Sequence, residues 1–377
     1  MRTVRDIQKL ENIPVLVRAA LNVPIADGKV AGAFRLHRAL PTIEYLRKRH
    51  ARVILIGHIG DTGTESLLPV YEAMRQLVPG IMFCPVTTGK TAREAVRELS
   101  PGGVLMLENL RRDVGEKKNS KEFAAALADL ADVFVEDSFD VCHRVHASVV
   151  SVPEFLPSYA GLLVEEEVNE LSKALMPKGP SLAIIGGAKF STKEPVLKKL
   201  LISYDRVYVG GALANDFAEA QGLPVGKSLV SHADKAELKL LISNRKLALP
   251  LDYVVAPHGG DVRAGRIADP RDVGTNEAIL DNGPESIAML AERAQKAKTV
   301  LWNGPLGNYE NGFTEGTESL ARAIAASNAH SIVGGGDTVA AIEKLGVSNR
   351  FSFISTGGGA MLDFLAKGTL PGIEPLN

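Results

Sequence analysis

The chain has 377 residues, 45% of them hydrophobic and 23% charged, with a formal net charge of -1. That length is too great for one ordinary core and about right for two. The near-zero charge removes any global electrostatic reason to expect nucleic acid or a membrane surface as a partner. No stretch approaches the roughly 18–20 apolar residues of a membrane span. Met1-Arg2-Thr3-Val4-Arg5-Asp6 lacks the apolar run of a secretory signal, so a soluble, cytoplasmic protein is expected. Cys84 and Cys142 stand alone, form no metal motif or disulfide framework, and read as buried thiols of a reducing compartment.

In chain order, short runs rich in Val, Ile and Leu predict strands at Val15–Arg18, Val53–Gly57, Ile81–Cys84, Val104–Leu107 and Val133–Val135. Helical patterns fall between them at Thr91–Leu99 and Lys121–Leu130. Val152–Ser158, with Pro153 and Pro157, marks a boundary. It leads into a long helical pattern, Gly161–Leu175, whose first turns carry Glu165, Glu166 and Glu167, the sign that suits a helix N-terminus. Six more strands are predicted at Leu182–Gly186, Val207–Gly210, Tyr253–Ala256, Val300–Trp302, Ser331–Gly334 and Ser352–Ile354, with helices at Pro284–Lys298 and Thr338–Lys344. Alternation of strand and helix throughout predicts parallel sheets with right-handed crossovers. The expected fold is α/β: two doubly wound (Rossmann-like) parallel-sheet domains joined by a long helix and hinge.

Ligands of open parallel sheets bind beyond the carboxyl ends of the strands, and there the two halves differ. The first half ends its strands in polar and basic residues: Arg18 and Asn22, His58, Glu108-Asn109 with Arg111, and Asp137 leading to His143-Arg144. Arg35, read as lying before the first helix, can join them. Such a convergence makes a cup for a small multi-anion, because guanidinium forks match phosphate and carboxylate oxygens. The second half ends its strands in glycines, at 186–187, 210–211, 334–336 and 357–359. Glycine lets the backbone approach a ligand, and the N–H groups of a following helix attract phosphate. Lys189 and Lys193 can add charge on one helical face. Asp337 reads equally as a metal-side carboxylate or as a helix N-cap. Gly222–Ser228 imitates a P-loop but is one residue short and follows a helix, and no G-x-G-x-x-G occurs.

These residues form a pattern that resembles phosphoglycerate kinase along nearly the whole chain. The segments concerned are VRAALNVP at 17–24, Arg35 with Leu40-Pro41-Thr42-Ile43, LENLR at 107–111, GGAKFSTK at 186–193, WNGPLG at 302–307, GGGDT at 334–338 and STGGGA at 355–360. The resemblance implies reversible phosphoryl transfer between 1,3-bisphosphoglycerate and ADP, giving 3-phosphoglycerate and ATP, in glycolysis or gluconeogenesis. It implies Mg²⁺ with ATP/ADP, small-molecule partners only, a monomer, and closure of a hinge. Residues 1–157 would bind the acid, 158–355 the nucleotide, and 356–377 would return to the hinge or first domain. Arg18, Asn22, Arg35, His58, Arg111 and Arg144 would hold the acid. The nucleotide would lie on Gly187, Ala188, Lys193, Gly211, Ala212, Asn303, Pro305, Gly307, Glu310, Gly335, Gly336, Asp337 and Thr338. Glu310 would accept from the ribose, and Asp337 would face Mg²⁺ held mainly by nucleotide phosphates. Arg35, Lys189 and the N–H groups of Gly358 and Gly359 would stabilise the group in transfer.

Departures from the family pattern gather on the acid side. Ala20 stands where an aspartate is expected, Asp61 where a basic-patch arginine is expected, and Asp140-Val141 where Gly-Thr is expected. On the nucleotide side Asp216 stands for a threonine. Reversing a charge roughly 6 Å from a phosphate changes the interaction by several kcal/mol at an effective dielectric of ~20. Arg112, beside Arg111, is the candidate to restore the lost charge. An altered-specificity or catalytically impaired nucleotide-binding module is therefore the alternative to an active kinase.

Overall fold

Apolar runs buried on both faces can satisfy their backbone only by pairing with one another, and here they pair in parallel. The computed structural model describes residues 1–231 and 233–377. The chain divides into two compact units, Met1–Asn169 with Thr369–Asn377, and Glu170–Gly368.

The first unit runs β1 (Pro14–Ala19), a small hairpin of β2 (Ile25–Ala26) and β3 (Lys29–Val30), α1 (Phe34–Lys48), β4 (Arg52–Ile56), α2 (Leu68–Leu77), β5 (Met82–Cys84) and α3 (Gly89–Glu98). It continues through β6 (Val104–Leu107), α4 (Val114–Lys117), α5 (Lys121–Ala128), β7 (Val133–Asp137), β8 (Ser158–Ala160) and the start of α6 (Leu162–Leu175). The sheet order is β5-β6-β4-β1-β7-β8, parallel throughout. Successive strand residues point to opposite faces. Val15 and Val17 accordingly pack with Leu36, Ile43, Val70 and Met74 of α1 and α2. Leu16 packs on the other side with Val96, Phe123 and Leu127 of α3 and α5.

The division between units falls inside α6, and the returning segment begins at Thr369, both later than the expected starts at 158 and 356. Local bonding explains the first shift. The first turn of α6 is tied to the first unit by Leu162 N donating to Thr42 Oγ1 and Leu163 N donating to Asp137 Oδ1, each at 2.9 Å. The second shift follows from α13 (introduced below), which packs within the second unit. The last residues return to the first, with Gly372 N bonded to Cys142 O at 2.8 Å.

The second unit carries β9 (Ser181–Ile185), α7 (Phe190–Ser203), β10 (Arg206–Val209), α8 (Leu213–Ala220), α9 (Lys235–Ile242), β11 (Leu247–Ala248), β12 (Tyr253–Pro257), β13 (Arg266–Ala268) and β14 (Glu277–Asn282). Then follow α10 (Pro284–Lys296), β15 (Thr299–Asn303), α11 (Glu315–Ala325), β16 (His330–Gly334), α12 (Gly336–Lys344), β17 (Phe353–Ile354) and α13 (Gly359–Lys367), which packs on α7. Its main sheet, β11-β10-β9-β15-β16-β17, is parallel.

Three expectations need correction. The run at Tyr253–Ala256 is a strand but joins no parallel sheet; β12 is the centre of a separate antiparallel sheet, β13-β12-β14. The link from β12 to β13 is too short to hold a crossover helix, so the chain turns back on itself. Arg35 lies inside the first turn of α1. Asp337 lies in the first turn of α12, whose N-cap is Gly335, so it is not itself the cap. Among the described residues no helix is long and apolar enough to cross a membrane.

Candidate functional site

In the first unit, the carboxyl ends of β1, β4 and β6, with the turns that follow β6 and β7, bring Arg18, His58, Arg111 and Arg144 together. Arg18 is 1% exposed and fully engaged: Nε donates to Ser148 Oγ (3.1 Å), Nη1 to Ala19 O (3.0 Å), and Nη2 lies 2.9 Å from His58 Nδ1. A guanidinium can only donate, so His58 accepts through Nδ1 and carries its proton on Nε2. Burial, then the charges of Arg18, Arg111 and Arg144, push the His58 pKa well below its ordinary value and keep the ring neutral. Ser148 passes the network on to buried Glu116, donating from Oγ at 2.6 Å and from N at 2.9 Å. Arg35 is tied to the rim, where Nη1 donates to Asn22 O at 2.7 Å, while Asn22 Oδ1 accepts from Gly60 N at 3.2 Å.

Arg111 is 4% exposed, yet its Nε and Nη2 have no hydrogen-bond partner, and neither does the buried Nε of Arg144. Burial, followed by the charge of Arg144, lowers the Arg111 pKa, as expected for cations crowded in a poorly solvated place. His146 belongs to the same group. Burial first, then Arg111, Arg144 and Arg18, bring its pKa down to about 4. Sequence reasoning stopped at His143-Arg144; the second histidine two residues on was the available signal.

The departures fall in definite places. Ala20 is fully buried and puts no charge in the cup. Asp61 Oδ1 pairs with Arg111 Nη1 at 2.8 Å, although the Asp61 side chain is 87% exposed. Asp140 accepts from Ser138 Oγ at 2.6 Å. The expectation that Arg112 restores charge to the cup is corrected: its Nη1 donates to Glu108 Oε2 at 2.9 Å. Burial works against the Glu108 carboxylate, but bonds from Leu67, Asn109, Ser66 and Arg112 outweigh it and hold its pKa below the ordinary value. Arg112 therefore serves a neighbouring carboxylate.

In the second unit the glycine-ended strands surround a cavity of about 640 Å³. Its wall includes eight of the expected residues: Gly187, Ala188, Gly211, Ala212, Pro305, Gly307, Glu310 and Asp337. The loops are knitted by backbone bonds, Gly186 N to Asn303 O (2.8 Å) and Leu213 N to Gly187 O (2.7 Å). Gly335 turns the chain from β16 into α12 at φ +101°, a region that side-chain-bearing residues rarely adopt. Behind the wall, Lys193 Nζ donates to Asn303 Oδ1 at 3.1 Å, and burial brings the lysine pKa down to about 8. The hydroxyl of Thr338 is buried without a hydrogen-bond partner. Lys189 is the exposed N-cap residue of α7; Gly358 and Gly359 begin α13 and do not line the cavity.

The cavity also has a wall that sequence reasoning passed over. It is formed by β14 from Ala278 to Asn282 and by the segment Lys227–Val230. Gly222–Ser228 is no P-loop, as expected, but its end lies beside β14: Lys227 N donates to Glu277 O and Ile279 N to Ser228 Oγ, each at 2.7 Å. Asp216, the residue in place of a threonine, holds this segment by accepting from Ser231 N (2.7 Å) and Ser231 Oγ (2.8 Å). Asp281 lies in the same wall; burial, opposed by bonds from Gly316 N and Asn282 N, leaves its pKa raised to about 7.

Comparison with known proteins places these sites in a family. The family model described as phosphoglycerate kinase matches residues 4–368. The phosphoglycerate kinase of Pelotomaculum thermopropionicum is 43% identical over 389 residues, covering 100% of this chain and 98% of that protein. That of Thermus thermophilus is 43% identical over 393 residues, covering 100% of both. Among solved structures, phosphoglycerate kinase from Coxiella burnetii is 36% identical with a TM-score of 0.84, covering 99% of this chain and 98% of that one. The enzyme from Pyrococcus horikoshii is 29% identical with a TM-score of 0.88, covering 100% and 98%.

Proposed function

Because the chain belongs to the phosphoglycerate kinase family, and is thus a phosphotransferase with a carboxyl group as acceptor, we propose that it passes a phosphoryl group reversibly between 1,3-bisphosphoglycerate and ADP, giving 3-phosphoglycerate and ATP. In this reading the first unit binds the acid and the second the nucleotide. The observation that carries it is the set of buried guanidinium N–H groups on Arg111 and Arg144 that have no partner. Buried donors left unmade are costly unless a ligand completes them. An anionic acceptor is the ligand whose oxygens fit.

Arg18, Asn22, Arg35, His58, Arg111 and Arg144 are the acid-binding residues of this proposal, with His146 added. His58, neutral and protonated on Nε2, would donate to an acceptor oxygen. The glycine-loop cavity takes the nucleotide, with Glu310 on the ribose and with Lys193, Thr338 and the first turn of α12 toward the phosphates. Asp337 would hold Mg²⁺, and the residues fit: burial, then the charge of Glu310, raises its carboxyl pKa, so a cation is welcome there. Among the described residues no group of three or more His, Cys, Asp or Glu side chains could hold a metal, so phosphate oxygens would supply most of its ligands. Bound there, the ion neutralises charge on the phosphate oxygens.

A carboxylate needs no base to become a nucleophile, so the work of the protein is positioning and charge stabilisation. Arg35 and Lys189, with the N–H groups of Gly358 and Gly359, are proposed to meet the developing charge on the transferring group. The enzyme would act as a cytoplasmic monomer on small molecules. The test is ATP formation from 1,3-bisphosphoglycerate and ADP with Mg²⁺, in wild type and Arg35→Ala. Turnover that falls about a thousandfold in the variant supports the reading; ADP binding without turnover in the wild type overturns it.

A further inference from the structure

Arg111 is held on one side only. Its Nη1 donates to the carbonyl of Gly60 and, at 2.8 Å, to Asp61 Oδ1. Nε and Nη2 are buried and unpartnered. In a planar guanidinium these two form the side-on edge, whose parallel N–H bonds match two oxygens of a carboxylate or phosphate. The loop that grips Nη1 is pinned in turn. Lys117 Nζ donates to the carbonyl of Asp61 at 3.1 Å. Gly63, at φ +84°, approaches the turn Leu110–Arg112 so closely that a Cβ would sit 2.1 Å from the Arg111 carbonyl oxygen. The Asp61 side chain is 87% exposed and that of Arg111 1%. The carboxylate therefore reaches Nη1 from the solvent side, and the remaining edge is the buried one. Arg18 and Arg144 are near enough for their charges to act on it.

We propose that Asp61 is a positioning residue for the acceptor: with the Gly60 carbonyl it engages Arg111 Nη1 and so presents the Nε/Nη2 edge to one anionic end of the acid. This deepens the acceptor reading and rests on it. The opposite role, a tethered anion competing with substrate, would require Asp61 to occupy the edge the ligand needs. It occupies Nη1 instead. The acidic side chain at this position thus gives up one positive charge in the cup and fixes the orientation of another.

The experiment uses the full chain: wild type, Asp61→Ala, Asp61→Asn, Arg111→Lys and the Asp61→Ala/Arg111→Lys double variant. Each is titrated calorimetrically with 3-phosphoglycerate and with sulfate, and assayed at steady state. Asp61→Ala is expected to weaken both anions about tenfold and raise the acceptor KM equally, with kcat and the nucleotide KM within about twofold. Asp61→Asn, which keeps an oxygen for Nη1, recovers most of the loss. In the Arg111→Lys background Asp61→Ala does nothing further, since lysine has no fork to orient. Tighter anion binding in Asp61→Ala would make Asp61 a competitor and overturn the proposal; unchanged affinity, or additive losses in the double variant, would overturn it too. Wild type that binds sulfate but neither binds nor turns over 3-phosphoglycerate overturns the acceptor reading, and the sulfate series still decides on Asp61.

Discussion

The two units offer ligands different materials. The first presents side chains: three arginines, two neutral histidines and the carboxylates that hold them, linked so that Arg18 alone touches Ser148, Ala19 and His58. The second presents glycine turns at strand ends and one edge strand, with Lys227, Asp281, Glu310 and Asp337 as the charged residues of the lining. A site made of side chains depends on residue identity at every member. A site made of backbone depends on glycine geometry and tolerates change around it. The departures from the family pattern behave accordingly. Asp61 and Ala20 alter the charge of the first site directly, whereas Asp216 acts on the second through Ser231, next to the Lys227–Val230 segment of its wall.

If that contrast is right, Arg18→Ala has the largest effect. It unties His58 and Ser148 and leaves their buried polar atoms without this partner. Stability should fall by about 1–3 kcal/mol through the unmade buried bonds, and acceptor binding by two orders of magnitude or more. Denaturant unfolding and calorimetry check both. Asp216→Ala should cost about 1–3 kcal/mol of stability through the unmade bonds at Ser231, with a much smaller effect on nucleotide KM than on the unfolding midpoint. A loss of nucleotide binding larger than the loss of stability would break the contrast.

Thr338→Val separates function from stability within the second unit. Its hydroxyl has no partner in the folded protein, so unfolding should be unchanged or slightly less favourable, while ADP affinity drops by about 1 kcal/mol. The smallest effect is in pH. The Lys193 pKa, lowered by burial to about 8, leaves the charged form dominant below pH 8 and the neutral form above it. ADP affinity should fall a few-fold from pH 7 to 9, and binding near pH 8 should take up protons. In the first unit His58 and His146, both held below their ordinary pKa, are already neutral across that range. Acceptor affinity should therefore be flat from pH 7 to 9, since only arginines carry its charge. Calorimetry in buffers of differing ionisation enthalpy measures both.

Much of this was legible in the residues. Every predicted strand exists, and the polar strand ends and glycine strand ends do lie in separate units. What was misread has a common cause. Tyr253–Ala256 looks like any buried strand, because an apolar run does not state its partner or direction. Arg112 looks like a spare cation until Glu108 is found within 2.9 Å of it. The β14 wall of the cavity carries no motif, only three apolar residues followed by Asp281 and Asn282.

The sequence by itself determined the strand-and-helix alternation, the placing of ligand-ready residues at strand ends and the family, since these follow from local periodicity and from residue types in order. Only the tertiary structure decided which donors are spare. Whether Arg111 keeps a free edge depends on Gly60 and Asp61, and whether His58 is neutral depends first on its burial and then on Arg18, Arg111 and Arg144. Hydrogen bonds and charge interactions of that kind form between residues distant in the chain. The balance of partners at a site is therefore a property of the packed fold.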